Sequence, residues 1–332
     1  MFNIGTLQLQ SSLILAPMAG VSDLPFRLIT RRFGAELAFT EMLNCRSLGL
    51  KSRRTKQMIA SNEQDRPLGV QILGSEPYYI KRAIEVLQSY SFDILDFNAA
   101  CPEKKVTRRG EGAALLLEPK KLQRILELVV QAVSKPVTVK IRTGWDNLSI
   151  NAPEVAQMAE DAGVKAIFIH GRTKQQLYSG EVDYQTIRQV KRAVKIPVIG
   201  SGNIFSGPLA KRMFEETGCD GILIARGSLG NPWIFRSIST YLKEGRQQPL
   251  PSFLEVIRIM KEHLRLCVEF FGEKYGVIIY RKFFGWYTKG FPKIRPLRQL
   301  ATGATTLQEL EKIISSILVL ENYQRPIMSG VK

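Results

Sequence analysis

Histidine is nearly missing from this chain: two in 332 residues, beside four cysteines and three tryptophans. The cysteines (Cys45, Cys101, Cys219, Cys267) are widely scattered, so they form neither a zinc-binding spacing nor a disulfide framework. A reduced cytoplasm is the expected setting. Long apolar runs are also missing. Stretches such as Leu13–Val21 fall far short of the roughly 20 residues that cross a bilayer. Met1–Gln10 lacks the basic residue that precedes the apolar run of a secretory signal. There is no Gly-Lys-Ser/Thr phosphate loop, no low-complexity segment and no sequence repeat. Acidic residues are few, 30 against 47 Lys+Arg, which leaves a net charge of +17. That excess suggests a polyanionic partner. Nucleic acid is favoured over membrane because no basic amphipathic anchor stands out.

What the sequence does contain is a repeat of pattern. Short apolar, β-branched runs occur at Leu13–Ala16, Leu37–Glu41, Gly69–Leu73, Ile94–Asn98, Val137–Arg142, Ala166–His170, Pro197–Gly200 and Gly221–Ala225. Helix-period segments lie between them at Asp23–Phe33, Pro77–Ser89, Pro119–Val133, Ala152–Ala162, Tyr184–Val194 and Pro208–Thr217, with Pro232–Tyr241 after the last run. The connection Met42–Arg66 reads as irregular. Nearly continuous apolar strands alternating with helices argue for a parallel sheet wrapped in helices. Eight such units within residues 13–241 suit an α/β fold, a (β/α)8 TIM barrel. An open doubly wound sheet would show a Gly-x-Gly-x-x-Gly turn after its first strand, and Ala16–Leu24 does not. The runs end in residues too polar for a core: Pro17-Met18, Glu41, Gln71, Asn98, Lys140 with Arg142, His170, Asn203 and Arg226. A barrel places its chemistry at these C-terminal strand ends.

After Gly245 the pattern changes. Arg246–Ser252 reads as a linker, and Phe253–Phe271, Gly276–Lys289 and Thr306–Glu321 read as helices without strands between them. The expected division is a barrel over 1–245 and a small all-helical C-terminal domain over 246–332. Residues 243–332 hold 15 Lys+Arg and 8 Asp+Glu, so this part is about twice as basic per residue as the rest.

Cys101 sits at the expected rim, followed by Pro102 and the basic residues Lys104, Lys105, Arg108 and Arg109. Nearby cations either favour its thiolate or hold a thiol ready to release its proton. It is therefore a candidate nucleophile or general acid. Cys45, Cys219 and Cys267 read as structural. Lys140 and Arg142, two apart in a strand, point to the same side. Glu41 or Asp96 is the acidic partner within reach. His170 closes the sixth run beside Gly171 and Arg172. The turns Gly200-Ser201-Gly202-Asn203 and Ala225-Arg226-Gly227 follow the seventh and eighth runs, where such barrels hold phosphate through backbone N–H groups. With Gln71 added, the set suits a phosphorylated organic cofactor, either flavin mononucleotide (FMN) or pyridoxal phosphate. No metal-ligand set is present.

These residues also resemble a known family. Ala16–Arg27 (APMAGVSDLPFR) is similar to the opening signature of the tRNA-dihydrouridine synthases. So are Asn98–Pro102 (NAACP), Lys140-Ile-Arg142, His170–Thr173 (HGRT) and Gly221–Phe235 (GILIARGSLGNPWIF). Tyr280–Tyr287 (YRKFFGWY) resembles the family's helical domain, most like the bacterial B-type branch. The resemblance implies an FMN-bound barrel that reduces a uridine of tRNA to dihydrouridine with NADPH (or NADH), and a helical domain that binds tRNA. It implies Cys101 as general acid, with Pro17, Met18 and Ala19 along the flavin ring and Gln71 and Lys140 at its polar edge. His170 would lie near flavin and substrate. Ser201, Gly202 and Asn203, with Ala225 and Arg226, would hold the phosphate. Asn98 and Arg142 would contact the uracil. The chain departs from the family pattern at Ala100 and Ala225, where glycine is usual. An FMN-dependent reductase of free pyrimidines would explain the site but not the basic helical part. A non-catalytic tRNA-binding protein would leave Cys101, Lys140 and His170 unexplained. No obligate protein partner and no membrane association is expected.

Overall fold

A computed structural model describes residues 2–49 and 53–320. An antiparallel hairpin of β1 (Phe2–Ile4) and β2 (Leu7–Leu9) precedes the sheet. The sheet then runs through β3 (Leu13–Leu15), α1 (Leu24–Arg31), β4 (Leu37–Phe39), β5 (Leu43–Asn44), α2 (Cys45–Leu48), α3 (Arg53–Ile59) and β6 (Leu68–Leu73). It continues with α4 (Pro77–Leu87), β7 (Ile94–Asn98), α5 (Lys104–Thr107), α6 (Pro119–Ala132), β8 (Val137–Arg142), α7 (Ala152–Asp161) and β9 (Ala166–His170). It ends with α8 (Tyr184–Ala193), β10 (Val198–Ser201), α9 (Gly207–Thr217), β11 (Gly221–Ile224) and α10 (Ile234–Glu244). Every pairing in the sheet is parallel. β11 pairs with β3, and β4 pairs with β6, so the sheet closes into a TIM barrel, with the two-residue β5 added at the end of β6.

Alternation along the strands sorts the core. Ile14, Leu37, Phe39, Ile94, Phe168, Ile199 and Leu223 point inward and pack as one cluster, capped by Ile4 and Leu9 of the hairpin. Their neighbours Leu15, Val70, Val139, Ile167 and Ile222 point outward against the helices. Gly69 is required where it stands: a Cβ there would lie 2.2 Å from the ring of Phe39. Arg27, within the opening motif, is buried and bonds Asp65 and the carbonyls of Ser22 and Ala60, at 2.9, 2.6 and 2.7 Å. That part of the motif therefore ties α1 to the loop before β6.

Four further helices follow: α11 (Phe253–Phe271), α12 (Glu273–Tyr287), α13 (Arg295–Gly303) and α14 (Leu307–Ser315), the last begun by a Thr306/Glu309 capping box. α11 and α12 cross so closely that a Cβ on Gly276 would lie 2.6 Å from the Cys267 carbonyl oxygen. They pack on the barrel through Phe26, stacked on Phe283 at 5.5 Å, and through Trp233, edge-on to Tyr287 at 6.2 Å. Trp233 also donates to Glu255 at 2.8 Å, Lys282 donates to the Gly20 carbonyl, and Arg32 pairs with Glu262. The apolar core is continuous across this seam.

Some elements differ from the sequence reading. The hairpin, α13 and the short β5, α2 and α3 within Met42–Arg66 were not expected. α12 begins three residues earlier than its periodicity suggests. The last expected helix ends at Ser315 and continues as a 3-10 turn, Ser316–Leu320, while Glu321 lies outside the described residues. Among the described residues, no helix is long and apolar enough to cross a membrane.

Candidate active site

A cavity of about 490 Å³ opens at the C-terminal ends of the barrel strands. Register places its groups at common heights. Asn98 lies beside Lys140, Arg142 beside His170, and His170 beside Ser201 on adjacent strands. The residues that the resemblance assigns to the site all line this cavity: Pro17, Met18 and Ala19 after β3, Gln71 on β6, Asn98 and Cys101 at the end of β7, Lys140 and Arg142 on β8, His170 on β9, Ser201 at the end of β10 with Gly202 and Asn203 after it, and Ala225 and Arg226 after β11, whereas Glu41 lies outside it.

The floor is a chain of amides. Gln71 Nε2 donates to Asp96 at 2.7 Å, and Asn98 Nδ2 donates to Gln71 Oε1 at 2.8 Å. Asn98 Oδ1 then accepts the N–H groups of Ala100 and Cys101 at 3.0 and 2.8 Å. Asn98 is thus occupied mainly in shaping the cysteine loop. Arg142 is similarly engaged. Its Nε donates to Ala100 and its Nη1 to Thr173 and Leu177, all carbonyls at 2.8 Å. Among the described residues nothing bonds its Nη2, which is left for a ligand.

Burial pushes the Cys101 thiol up from its ordinary value. The carboxylate of Glu103 adds to this, against the Glu103 N–H and the charges of Arg142 and Lys105. The group is therefore a thiol at neutral pH, which suits an acid better than a nucleophile. Cys45, Cys219 and Cys267 are buried. Lys140 faces the cavity without a hydrogen bond to any described residue. Burial, then Arg142, lowers its ammonium to about 8, and Asp96 is the acid that opposes this.

His170 is 8% exposed and lies 3.3 Å from Arg172 Nη1 through Nε2. Arginine can only donate, so Nε2 accepts and the ring proton sits on Nδ1. Burial and the charges of Arg142, Lys140, Arg172 and Arg226 hold this imidazole neutral, well below its ordinary value. Arg172 donates in turn to the carbonyls of Ser179 and Gly180.

The far wall is a pair of turns. Gly202 has φ +139° and Asn203 φ +51°. A Cβ on Gly202 would meet Val182 at 2.9 Å. Arg226 spans the two turns, donating to Asn203 Oδ1 at 3.3 Å. The N–H groups of Gly202, Asn203, Arg226 and Gly227 have no backbone acceptor among the described residues, and all four residues line the cavity. Such a set of N–H donors suits a phosphate.

Thr138 and Tyr178 complete the site beyond the sequence reading, and Asp96 and Arg172, visible there only as a counter-charge and as a neighbour of His170, take definite places in it. Thr138 donates to Asp96 at 2.7 Å. Tyr178 stacks near His170 and lies under both Arg142 and Arg226. Asp96 and Thr138 sit two residues before Asn98 and Lys140 on the same strands, so inward alternation was the available signal. Tyr178 is in a loop and offered none. Among the described residues, no group of three or more His, Cys, Asp or Glu could hold a metal.

Known proteins are similar to this chain over most of its length. The family profile described as Dihydrouridine synthase (Dus) matches residues 14–324. A protein named tRNA-dihydrouridine synthase B from Pseudomonas aeruginosa is 43% identical over 295 residues, covering 89% of each chain. Its namesake from Vibrio vulnificus is 40% identical over 320 residues, 96% of this chain and 98% of that one. A probable tRNA-dihydrouridine synthase from Rickettsia bellii is 41% identical over 90% of this chain and 92% of its own. Among solved structures, histamine dehydrogenase from Rhizobium sp. 4-9 aligns with a TM-score of 0.55 at 12% identity, over 80% of this chain and 50% of that one. The old yellow enzyme homologue of Zymomonas mobilis aligns with a TM-score of 0.52 at 12% identity, over 74% and 92%. These two share the fold. The chain belongs to the dihydrouridine synthase family and resembles its B-type branch.

Proposed function

We propose that this chain reduces the C5=C6 bond of a uridine in tRNA, in the cytoplasm, with FMN as bound cofactor and NADPH (or NADH) as reductant. The observation that carries this is the pairing of a protonated cysteine and an unpartnered lysine ammonium on one cavity, opposite a phosphate-sized set of free N–H groups.

The residues present fit FMN. Ser201, Gly202, Asn203, Ala225 and Arg226 would hold its phosphate. Lys140 offers a cation to the electron-rich edge of the ring, and Gln71 retains one N–H and one lone pair beside it. Pro17, Met18 and Ala19 supply an apolar wall, and neutral His170 can bond without adding charge. A reduced flavin held here would supply hydride to C6 of the uracil. Cys101 gives its proton to C5, and Arg142 and Lys105 stabilise the thiolate that remains. Asn98 and Arg142 keep the cysteine loop in place beneath the base. The uridine leaves its stack to reach a cavity at the mouth of the barrel.

Residues 1–245 form the catalytic unit, and the basic part, 246–332, grips the tRNA backbone. The test is direct. Denatured by heat, the purified protein releases FMN. A colourless protein with no flavin in the supernatant overturns the proposal.

A further inference from the structure

The chain of amides under Cys101 has a direction. At its upper end stand the N–H groups of Ala100 and Cys101, which can only donate, so Asn98 must turn its Oδ1 toward them. Its Nδ2 then points to Gln71, which must present Oε1, and this leaves Gln71 Nε2 pointing down. The lower end therefore has to be an acceptor. Asp96 is that acceptor, 1% exposed, with Gln71 on one oxygen at 2.7 Å and the Thr138 hydroxyl on the other at 2.7 Å. Asp96 and Gln71 are opposite each other in the sheet register, as are Asp96 and Thr138, so the strands themselves hold the link short.

The geometry points to Asp96 as a positioning residue: it terminates the amide chain as its acceptor and thereby fixes the seat of the Cys101 loop. Asp96 lies below Gln71 and reaches the Cys101 loop by hydrogen bonds through Gln71 and Asn98, beside its role as counter-charge of Lys140. Flipping any one amide would set donor against donor at a neighbour, so the chain holds as a unit. Burial lifts the Asp96 carboxyl to about 6, which leaves it an acceptor-only anion at neutral pH.

The inference deepens the proposed reaction, but its first readout does not depend on that reaction. Cys45, Cys219 and Cys267 are buried, so iodoacetamide on the native full-length protein reports on Cys101, followed by peptide mass spectrometry. Asp96→Asn keeps an acceptor oxygen for Gln71 and offers its amide N–H to Thr138. Asp96→Leu removes the acceptor and leaves a buried donor unmet. Alkylation of D96N is expected to stay near the wild-type rate, whereas D96L is expected to react about tenfold faster as the loop loosens. If D96L does not fold, Gln71→Met removes the middle link and is expected to do the same. In the tRNA assay D96L lowers kcat and leaves KM for tRNA unchanged, and D96N, assayed at a pH low enough to keep Lys140 charged, restores kcat. Wild-type alkylation in D96L or Q71M overturns the inference, as does a D96N protein as reactive as D96L. Should the protein carry no flavin, the function proposed above fails while the alkylation result still decides this one.

Discussion

Arg142 Nε lies 2.8 Å from the carbonyl oxygen of Ala100, the residue directly before Cys101. The guanidinium and the cysteine loop therefore form one unit, and the same side chain reaches the loop after β9 through Thr173 and Leu177. Arg142→Lys keeps the positive charge but cannot make three bonds in that fork. It is expected to lower kcat for dihydrouridine formation by about 10- to 100-fold, since each bond to a charged group contributes roughly 1.5–3 kcal/mol. Steady-state kinetics on tRNA transcripts check this. Wild-type kcat in R142K would mean that charge alone is used.

Lys140 sets a pH dependence. Its ammonium is lowered to about 8, so it is charged below that pH and neutral above it. The Cys101 thiol is raised above its ordinary 9.0, so the lysine titrates first. Flavin affinity and turnover are expected to decline as pH rises through about 8. Lys140→Arg, charged across that range, moves the decline upward. Titration of flavin binding against pH measures both. A wild-type profile that stays flat well above 8 contradicts the role given to this cation.

Phe283 carries the seam between the barrel and the last helices, stacked on Phe26 within a continuous core. Phe283→Ala is expected to destabilise the whole chain by about 3–5 kcal/mol. Thermal unfolding followed by circular dichroism should show one transition shifted to lower temperature. Two separated transitions, with the barrel unaffected, would show that the halves fold independently. Because of this seam, deleting residues 246–332 would bare Phe26 and Trp233, so tRNA binding is better tested with surface charges.

Lys274, Lys289 and Arg295 are exposed cations of the helical part. Reversing all three to Glu is expected to leave flavin binding intact and weaken tRNA binding. The slope of log affinity against log salt should flatten by roughly 0.7–0.9 for each phosphate that is no longer neutralised. Filter binding at several salt concentrations measures it. An unchanged slope would place the tRNA on another face.

The barrel was legible because its signal is repeated: eight apolar runs, each with an inward and an outward set, specify a closed parallel sheet more firmly than any one run could. α11 has the bounds its periodicity gives, Phe253–Phe271. The hairpin Phe2–Leu9 was not legible, since three-residue strands carry little pattern and gain their stability by closing the barrel floor through Ile4 and Leu9. α13 was missed for a similar reason: of its nine residues only Ala301 is buried. The residues around the cavity could be named because they stand at strand ends. What they bond to could not. Lys140 and Arg142 look equivalent in the sequence, two cations on one face, yet the structure uses Arg142 to hold loops and leaves Lys140 open. Asp96 was visible only as a counter-charge, because its place beneath Gln71 depends on strand register.

Reduction of a tRNA uridine by this chain is measured by incubating the purified protein with FMN, NADPH and an unmodified tRNA transcript, then digesting the RNA and measuring dihydrouridine by mass. Dihydrouridine is expected at a defined position with the wild-type chain, and a loss of about 10²- to 10⁴-fold with Cys101→Ala, which still binds flavin. No dihydrouridine in any tRNA tested, or full activity in the Cys101→Ala protein, would contradict it.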